Sequence, residues 1–80
     1  MQGKYKQYIM KNPVRAMSFG EMAAIYFPHL CERHARRKLR SWINLCKPLK
    51  KGLVSMSYTD TTRSLTPRMV MAIYQFLGEP

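Results

Sequence analysis

The chain contains few acidic residues. Its 80 residues include four Asp and Glu against fourteen Lys and Arg, so the formal net charge is +10 at pH 7. A charge of this size attracts polyanions whatever the fold, and nucleic acid is the expected partner. The shortage of carboxylates leaves little for general acid-base work, and there is no glycine-rich phosphate loop and no nucleophile with an obvious base. We therefore expect a protein that is not an enzyme and needs no cofactor.

Long apolar runs are also missing. No segment approaches the roughly 18 consecutive apolar residues that indicate a membrane-spanning helix. The N-terminus lacks the apolar stretch of a secretory signal peptide. These two absences predict a cytoplasmic protein that neither spans nor binds a membrane.

Cysteine is scarce, and its two positions exclude an internal disulfide. Cys31 and Cys46 bracket one predicted helix. Fifteen helical residues at about 1.5 Å each separate them by roughly 22 Å, whereas a disulfide needs Cα atoms within about 7 Å. His29 and His34 lie near Cys31 and suggest zinc, but Cys46 would lie roughly 18 Å along the helix from His34, so we predict no metal site. Cys31 is instead expected at the helix N-cap, in place of a better capping side chain.

The apolar content is high enough for one folded unit. Hydrophobic residues make up 46% of the chain, which is too many for a disordered sequence, and 80 residues support a single core. Residues 1–16 alternate Lys, Tyr and Gln without helical or strand periodicity, and they predict a partly ordered basic arm. Residues 17–80 form the predicted domain. The arm could follow a phosphate backbone or be a frayed terminus.

One segment has the clearest helical pattern. Apolar residues recur at i, i+4, i+7, i+8 and i+11 from about Glu32 to Cys46, which predicts a helix with one face in the core. Trp42 lies on this apolar stripe, and we expect it to be a core residue rather than a base-stacking platform. The stripe consists of Ala35, Leu39, Trp42, Ile43 and Cys46.

Start and stop signals predict three further helices. Ser18 followed by Glu21 is a capping box, and it begins a short helix that Pro28 ends. Pro48 suits the first turn of another short helix, which Gly52 weakens or ends. Thr66-Pro67 caps and begins the last helix. Between these last two helices, residues 58–65 predict a small hairpin or extended loop, because Thr59-Asp60-Thr61-Thr62 is turn-forming.

This order of elements predicts a mainly α, winged helix-turn-helix-like fold with four helices and a small β-hairpin or extended wing. The second helix would then enter the major groove of duplex DNA, and the residues nearest its N-terminus would contact bases. Arg37, Lys38 and the lysines of residues 47–51 would contact phosphates. Arg63 would be the wing residue. The predicted nucleic-acid-binding residues are Arg33, Arg36, Arg37, Lys38, Arg40, Lys47, Lys50, Lys51 and Arg63.

Other interpretations of the basic residues stay open. Basic helices are often only solvated faces, but eight of the fourteen Lys and Arg fall between Cys31 and Lys51 with a single acid among them. A protein-interaction module could dock the same helix on an acidic partner, and seven methionines would supply adaptable contacts. A solvent-facing patch of Met69, Met71 and Phe76 would favour that alternative. RNA binding is the third possibility, although no RNA-module signature is present.

Two stretches carry a resemblance to a known family. The segments SFGEMAAIYFP, from Ser18, and ARRKLRSWI, from Ala35, resemble a family of small uncharacterised proteins found in Bacteroidetes, and the ending FLGEP looks like that family's closing pattern. The resemblance covers about residues 17–80 and implies a domain of unknown function, with no ligand or site residue. The chain departs from the family pattern at Cys31, where a Ser or Thr helix cap is usual.

The layout is also distantly similar to excisionase and MerR-type winged helix domains. Met22-Ala23 in the first helix and Leu65-Thr66-Pro67 before the closing helix carry this similarity. It implies DNA binding by analogy of fold, and such folds are also used as protein-interaction modules. We therefore expect a small DNA-binding protein that acts as a transcriptional or mobile-element accessory factor.

Overall fold

The computed structural model describes residues 14–80, so the predicted arm, residues 1–16, lies almost wholly outside the described residues. The first helix, α1, spans Phe19–Tyr26. The Ser18 hydroxyl accepts a hydrogen bond from the backbone N–H of Glu21 at 3.0 Å, and the Glu21 carboxylate accepts one from the Ser18 N–H at 2.9 Å. The predicted capping box is confirmed.

The second helix, α2, spans Glu32–Leu45, close to its predicted bounds. Cys31 is its N-cap and makes no side-chain capping hydrogen bond, as expected of a thiol at that position. Three residues of the predicted apolar stripe are fully buried. The prediction for Trp42 is wrong in part, because this side chain lies at the edge of the stripe and remains 38% exposed. The buried residues of α2 are Ala35, Leu39 and Ile43.

Two more helices complete the helical part of the described chain. Helix α3 spans Lys47–Ser55, and it continues through Gly52, where the sequence predicts a weak or broken helix. Helix α4 spans Pro67–Leu77. Its N-cap is Thr66, whose hydroxyl accepts a hydrogen bond from the backbone N–H of Met69 at 3.3 Å, so the predicted start of the last helix is confirmed.

A short antiparallel sheet joins the segment before α1 to the segment before α4. Strand β1, Met17–Ser18, pairs with strand β2, Ser64–Leu65, and Met17 lies opposite Leu65. The segment 58–65 is thus the extended loop of the prediction, and its strand pairs with the residues before α1 instead of folding back on Tyr58. For the described part of the chain, the mainly α, winged helix-like fold with four helices and a two-stranded sheet is confirmed.

The core lies between all four helices and the sheet. Helix α4 closes it with an almost continuous buried face, and α2 contributes one face only. Because that face holds α2 against the core, its opposite face is left to solvent. The core residues are Met17, Phe19, Met22, Ala23, Phe27, Ala35, Leu39, Ile43, Leu49, Leu53, Tyr58, Leu65, Met69, Val70, Ala72, Ile73 and Tyr74.

Candidate nucleic-acid interface

The exposed side of α2 carries two unpaired arginines. At about 100° per residue, Arg33, Arg37, Ser41 and Asn44 lie opposite the buried stripe, and we call these four residues the outer face of α2. All four are exposed. Within residues 14–80, no ion pair involves Arg33 or Arg37. Their guanidinium groups are therefore available to an external anion or base edge.

Arg36 lies at the flank of α2 that faces α1, and it is paired within the helix. Its Nη1 atom donates to Oε2 of Glu32 at 2.5 Å. The side chains of Arg36 and Glu32 are 44% and 72% exposed, so this pair stabilises the helix only slightly. Arg36 remains within reach of solvent.

Arg40 does not belong to the outer surface. It is half-buried, and its guanidinium donates to the Tyr58 hydroxyl at 2.9 Å and to the carbonyl oxygens of Thr59 and Thr62 at 3.3 Å each. It also stacks on the Phe19 ring, with 4.0 Å from Cζ to the ring centroid. These contacts hold the loop before β2 against α2 and give Arg40 a structural role, while its nucleic-acid contact stays a prediction.

The Tyr58 side chain shows how closely Arg40 is integrated in the fold. Burial raises the pKa of the Tyr58 phenol, and the positive charge of Arg40 beside it opposes that rise. Tyr58 is 1% exposed, and Arg40 donates a hydrogen bond to its hydroxyl at 2.9 Å. Among residues 14–80, loss of Arg40 would leave this hydroxyl without a donor.

The predicted lysines fall into different environments. Lys47 and Lys51 are exposed and lie about 40° apart on α3, opposite its buried residues. Lys50 is engaged, because its Nζ donates to Oδ1 of Asn44 at 2.7 Å and lies 3.5 Å from Oδ1 of Asp60. Lys38 lies on the far flank of α2, with Nζ 5.5 Å from the centroid of the Phe27 ring. Lys47 and Lys51 are thus the better placed of the four for phosphates.

Arg63 lies in the loop that we call the wing, residues 59–63. Its backbone carbonyl accepts a hydrogen bond from the Phe19 N–H at 2.7 Å, which continues the β1–β2 ladder and fixes the wing beside the start of α1. A cleft of about 490 Å³ opens between the wing, α1 and α2, and we call it the wing cleft. Its lining residues are Ser18, Phe19, Gly20, Glu32, Arg36, Arg40, Thr61, Thr62 and Arg63.

Sequence reasoning did not predict the contribution of Gly20, Thr61 and Thr62 to this cleft. The threonines are ordered by the wing turn, in which the Thr59 N–H donates to the Thr62 hydroxyl at 2.8 Å and the Thr62 N–H donates to the Thr59 carbonyl at 3.1 Å. The turn itself is predictable from its composition. Its position beside α1 depends on a strand pairing between distant segments, for which the sequence has no local signal.

Aromatic side chains cover the opposite flank of α2. The Trp42 ring packs edge-on against the Phe27 ring at 4.8 Å between centroids, and it lies 6.4 Å from the ring of Tyr26. Leu45, one turn further along α2, is 76% exposed. Trp42 and Leu45 therefore present apolar surface beside the basic residues of the helix.

Three questions raised by the sequence can be compared with the described residues. Met69 is buried, so the patch of Met69, Met71 and Phe76 that would have favoured the protein-interaction alternative does not form as one surface. Within residues 14–80, no cluster of three or more His, Cys, Asp and Glu is arranged to hold a metal ion. Nor does any helix in that part of the chain have the length and apolar character required to cross a membrane.

One comparison with known proteins finds a family. Residues 13–80 match the family model described as "Domain of unknown function (DUF4248)". No curated protein and no solved structure matches the chain. The match confirms the resemblance to a family of unknown function, and the functional argument depends on the geometry of the site.

Proposed function

Because the chain belongs to the DUF4248 family of domains of unknown function, we propose its function from the site alone: it is a non-enzymatic protein that binds duplex DNA through the outer face of α2. The observation that carries this proposal is that Arg33 and Arg37 are exposed, lie opposite the buried stripe and form no ion pair with any residue of the described range 14–80. In a cell, such a protein would act in the cytoplasm as a transcriptional or mobile-element accessory factor.

The dimensions of α2 suit the major groove. Fourteen residues give a helix of about 21 Å, and B-DNA has a major groove about 12 Å wide that admits one helix. Helix α1 precedes α2 in the helix-turn-helix order, and the wing lies beside the N-terminal half of α2. This arrangement supports insertion of α2 with the wing against the adjacent backbone.

The basic residues can be divided by geometry. Arg33 and Arg37 are one turn apart near the N-terminal end of α2, where a guanidinium can bind the O6 and N7 acceptors of guanine. Lys47, Lys51 and Arg63 lie on neighbouring elements, and they suit phosphates, which require charge and little directional precision. Arg40 stabilises the wing and makes no base contact in this proposal.

Fluorescence anisotropy on a random-sequence duplex between 50 and 300 mM salt tests the proposal. On random-sequence DNA the two arginines of α2 act through their charge, as the other three basic residues do, so about five phosphate contacts predict a slope of log affinity against log salt near −4 to −5. Arg33→Gln/Arg37→Gln should weaken binding and flatten the slope by about 1 to 2. Arg68→Gln is the charge control, because Arg68 is exposed at the start of α4 and should change the slope by less than about 0.5. No binding by the unmodified protein at 50 mM salt would remove DNA as the ligand.

The exposed aromatic and aliphatic flank of α2 favours a second function. Trp42 and Leu45, beside Lys38, would suit a protein partner with acidic residues around an apolar anchor. If duplex DNA does not bind and Leu45→Ser abolishes association with such a partner, the interaction module becomes the better account. Leu45→Ser should leave DNA affinity within about twofold if α2 reads DNA, because Leu45 lies outside the outer face.

A further inference from the structure

The wing cleft has the features of an anion site, and Glu32 extends into it. We propose that the cleft binds one DNA phosphate, and that the Glu32 carboxylate occupies the phosphate position in the free protein. Glu32 is then an internal competitor that lowers the affinity of the site for nucleic acid. This inference rests on the proposed DNA-binding function and adds a phosphate subsite and its regulation.

The Glu32 carboxylate has a close neighbour on each of two sides. Its Oε2 atom accepts the hydrogen bond from Arg36 at 2.5 Å. On the other side it lies against the first turn of α1, so closely that a Cβ atom added at Gly20 would be 3.1 Å from the same oxygen. The carboxylate thus sits at the mouth of the cleft, between a guanidinium and the beginning of a helix.

The other groups of the cleft suit a phosphate. Arg63 and Thr61 also line the cleft and are exposed, and the Thr61 hydroxyl, 3.1 Å from the Thr59 hydroxyl, keeps capacity for a further hydrogen bond. Arginine forks and hydroxyl groups are common donors to phosphate oxygens. Arg40 lines the same cleft and adds positive charge, although its donors are already engaged with the wing. Three positive charges therefore face one cleft that holds a single carboxylate.

A phosphate can displace the carboxylate because the pair is exposed. Exposed ion pairs contribute little to stability, so opening the Glu32–Arg36 pair costs little. The phosphate then gains Arg36 together with Arg63 and the wing hydroxyl. Removal of the carboxylate should free Arg36 in advance, and DNA would bind more tightly through the same phosphate contacts.

The test compares Glu32→Gln with Glu79→Gln by anisotropy on a random duplex. Both variants remove one negative charge, and Glu79 follows α4 and does not line the wing cleft. Glu32→Gln should bind at least about threefold more tightly than Glu79→Gln at 50 mM salt, and the salt slopes of the two variants should agree within about 0.5 because the phosphate contacts are the same. In an Arg36→Gln background, Glu32→Gln should change the affinity no more than Glu79→Gln does.

The outcomes separate this inference from the proposed function. If the unmodified protein binds DNA but Glu32→Gln matches Glu79→Gln, or keeps its effect without Arg36, the competitor role is refuted and DNA binding stands. If the unmodified protein does not bind DNA, the proposed function fails. Titration with inorganic phosphate, followed by ¹⁵N NMR, then shows whether the wing cleft binds phosphate. Amide shifts at Gly20 and residues 61–63 that are larger in Glu32→Gln would support the site, and no shifts there would overturn it.

Discussion

Replacement of Arg40 by methionine should destabilise the fold far more than any change on the outer face of α2. Methionine keeps the aliphatic stem of the side chain and removes the guanidinium. The variant loses the hydrogen bonds to Tyr58, Thr59 and Thr62 and the stacking on Phe19. The wing then loses its main attachment to α2.

The size of the effect follows from these contacts. The buried Tyr58 hydroxyl loses its donor, which costs about 1–3 kcal/mol, and loss of the stacked cation costs about 0.5–2 kcal/mol. The carbonyls of Thr59 and Thr62 can bind water instead, because Thr59 is exposed and Thr62 is partly exposed, so they add little. The free energy of unfolding should fall by about 2–4 kcal/mol, which lowers Tm by roughly 10–25 °C in a domain of this size.

Thermal and urea unfolding followed by circular dichroism measure this change. Arg37→Met is the matched control, because it removes the same group from an exposed site without ion pairs and should change the stability by less than about 0.5 kcal/mol. Arg40→Lys should be intermediate, because the ammonium keeps the charge but loses the planar fork. Equal Tm values for Arg40→Met and Arg37→Met would refute the structural role of Arg40.

Three other substitutions or conditions test the described contacts. Ser18→Ala removes the capping box of α1 and should lower the free energy of unfolding by about 0.5–2 kcal/mol in urea titration, while an unchanged midpoint would contradict the cap. The buried Tyr74 hydroxyl has no hydrogen-bond partner within residues 14–80, so Tyr74→Phe should be neutral or stabilising by up to about 1 kcal/mol, and a loss above about 1 kcal/mol would show that the hydroxyl is satisfied. Burial raises the pKa of the Tyr26, Tyr58 and Tyr74 phenols above 10.0 in the folded chain, so the unfolded state releases protons first and stability should fall as the pH rises above about 10. Phenolate absorbance and helical content should then change together, and titration of these tyrosines near pH 10 without unfolding would contradict this.

The parts of the fold with local chemical signals could be predicted from the sequence. Ser18 and Glu21 form their capping box within one helical turn, and Thr66 caps α4 in the same way. The period of the apolar stripe gave the bounds of α2 to within one residue, because burial of that face is set by spacing along one helix. These features depend on residues that are neighbours in the chain.

The parts that depend on distant pairing could not be predicted. Strands β1 and β2 have two residues each. An alternation of apolar and polar residues must extend over several residues to indicate a strand, so these segments have no sequence pattern that shows which will pair. Their pairing brings the wing beside α2, and only then do the acceptors of Arg40 and the mouth of the wing cleft exist. Arg40 and Arg37 look equivalent in the sequence, yet the structure gives one a structural role and leaves the other exposed.

Titration with a short DNA duplex, followed by ¹⁵N NMR, tests most directly whether the outer face of α2 contacts DNA. The account predicts that amide shifts and line broadening concentrate at Arg33, Arg37 and Ser41, at the Asn44 side chain and at wing residues 61–63. Met71 and Gln75, on the exposed side of α4, should remain unchanged. The largest changes on α4, with α2 unaffected, would contradict the account.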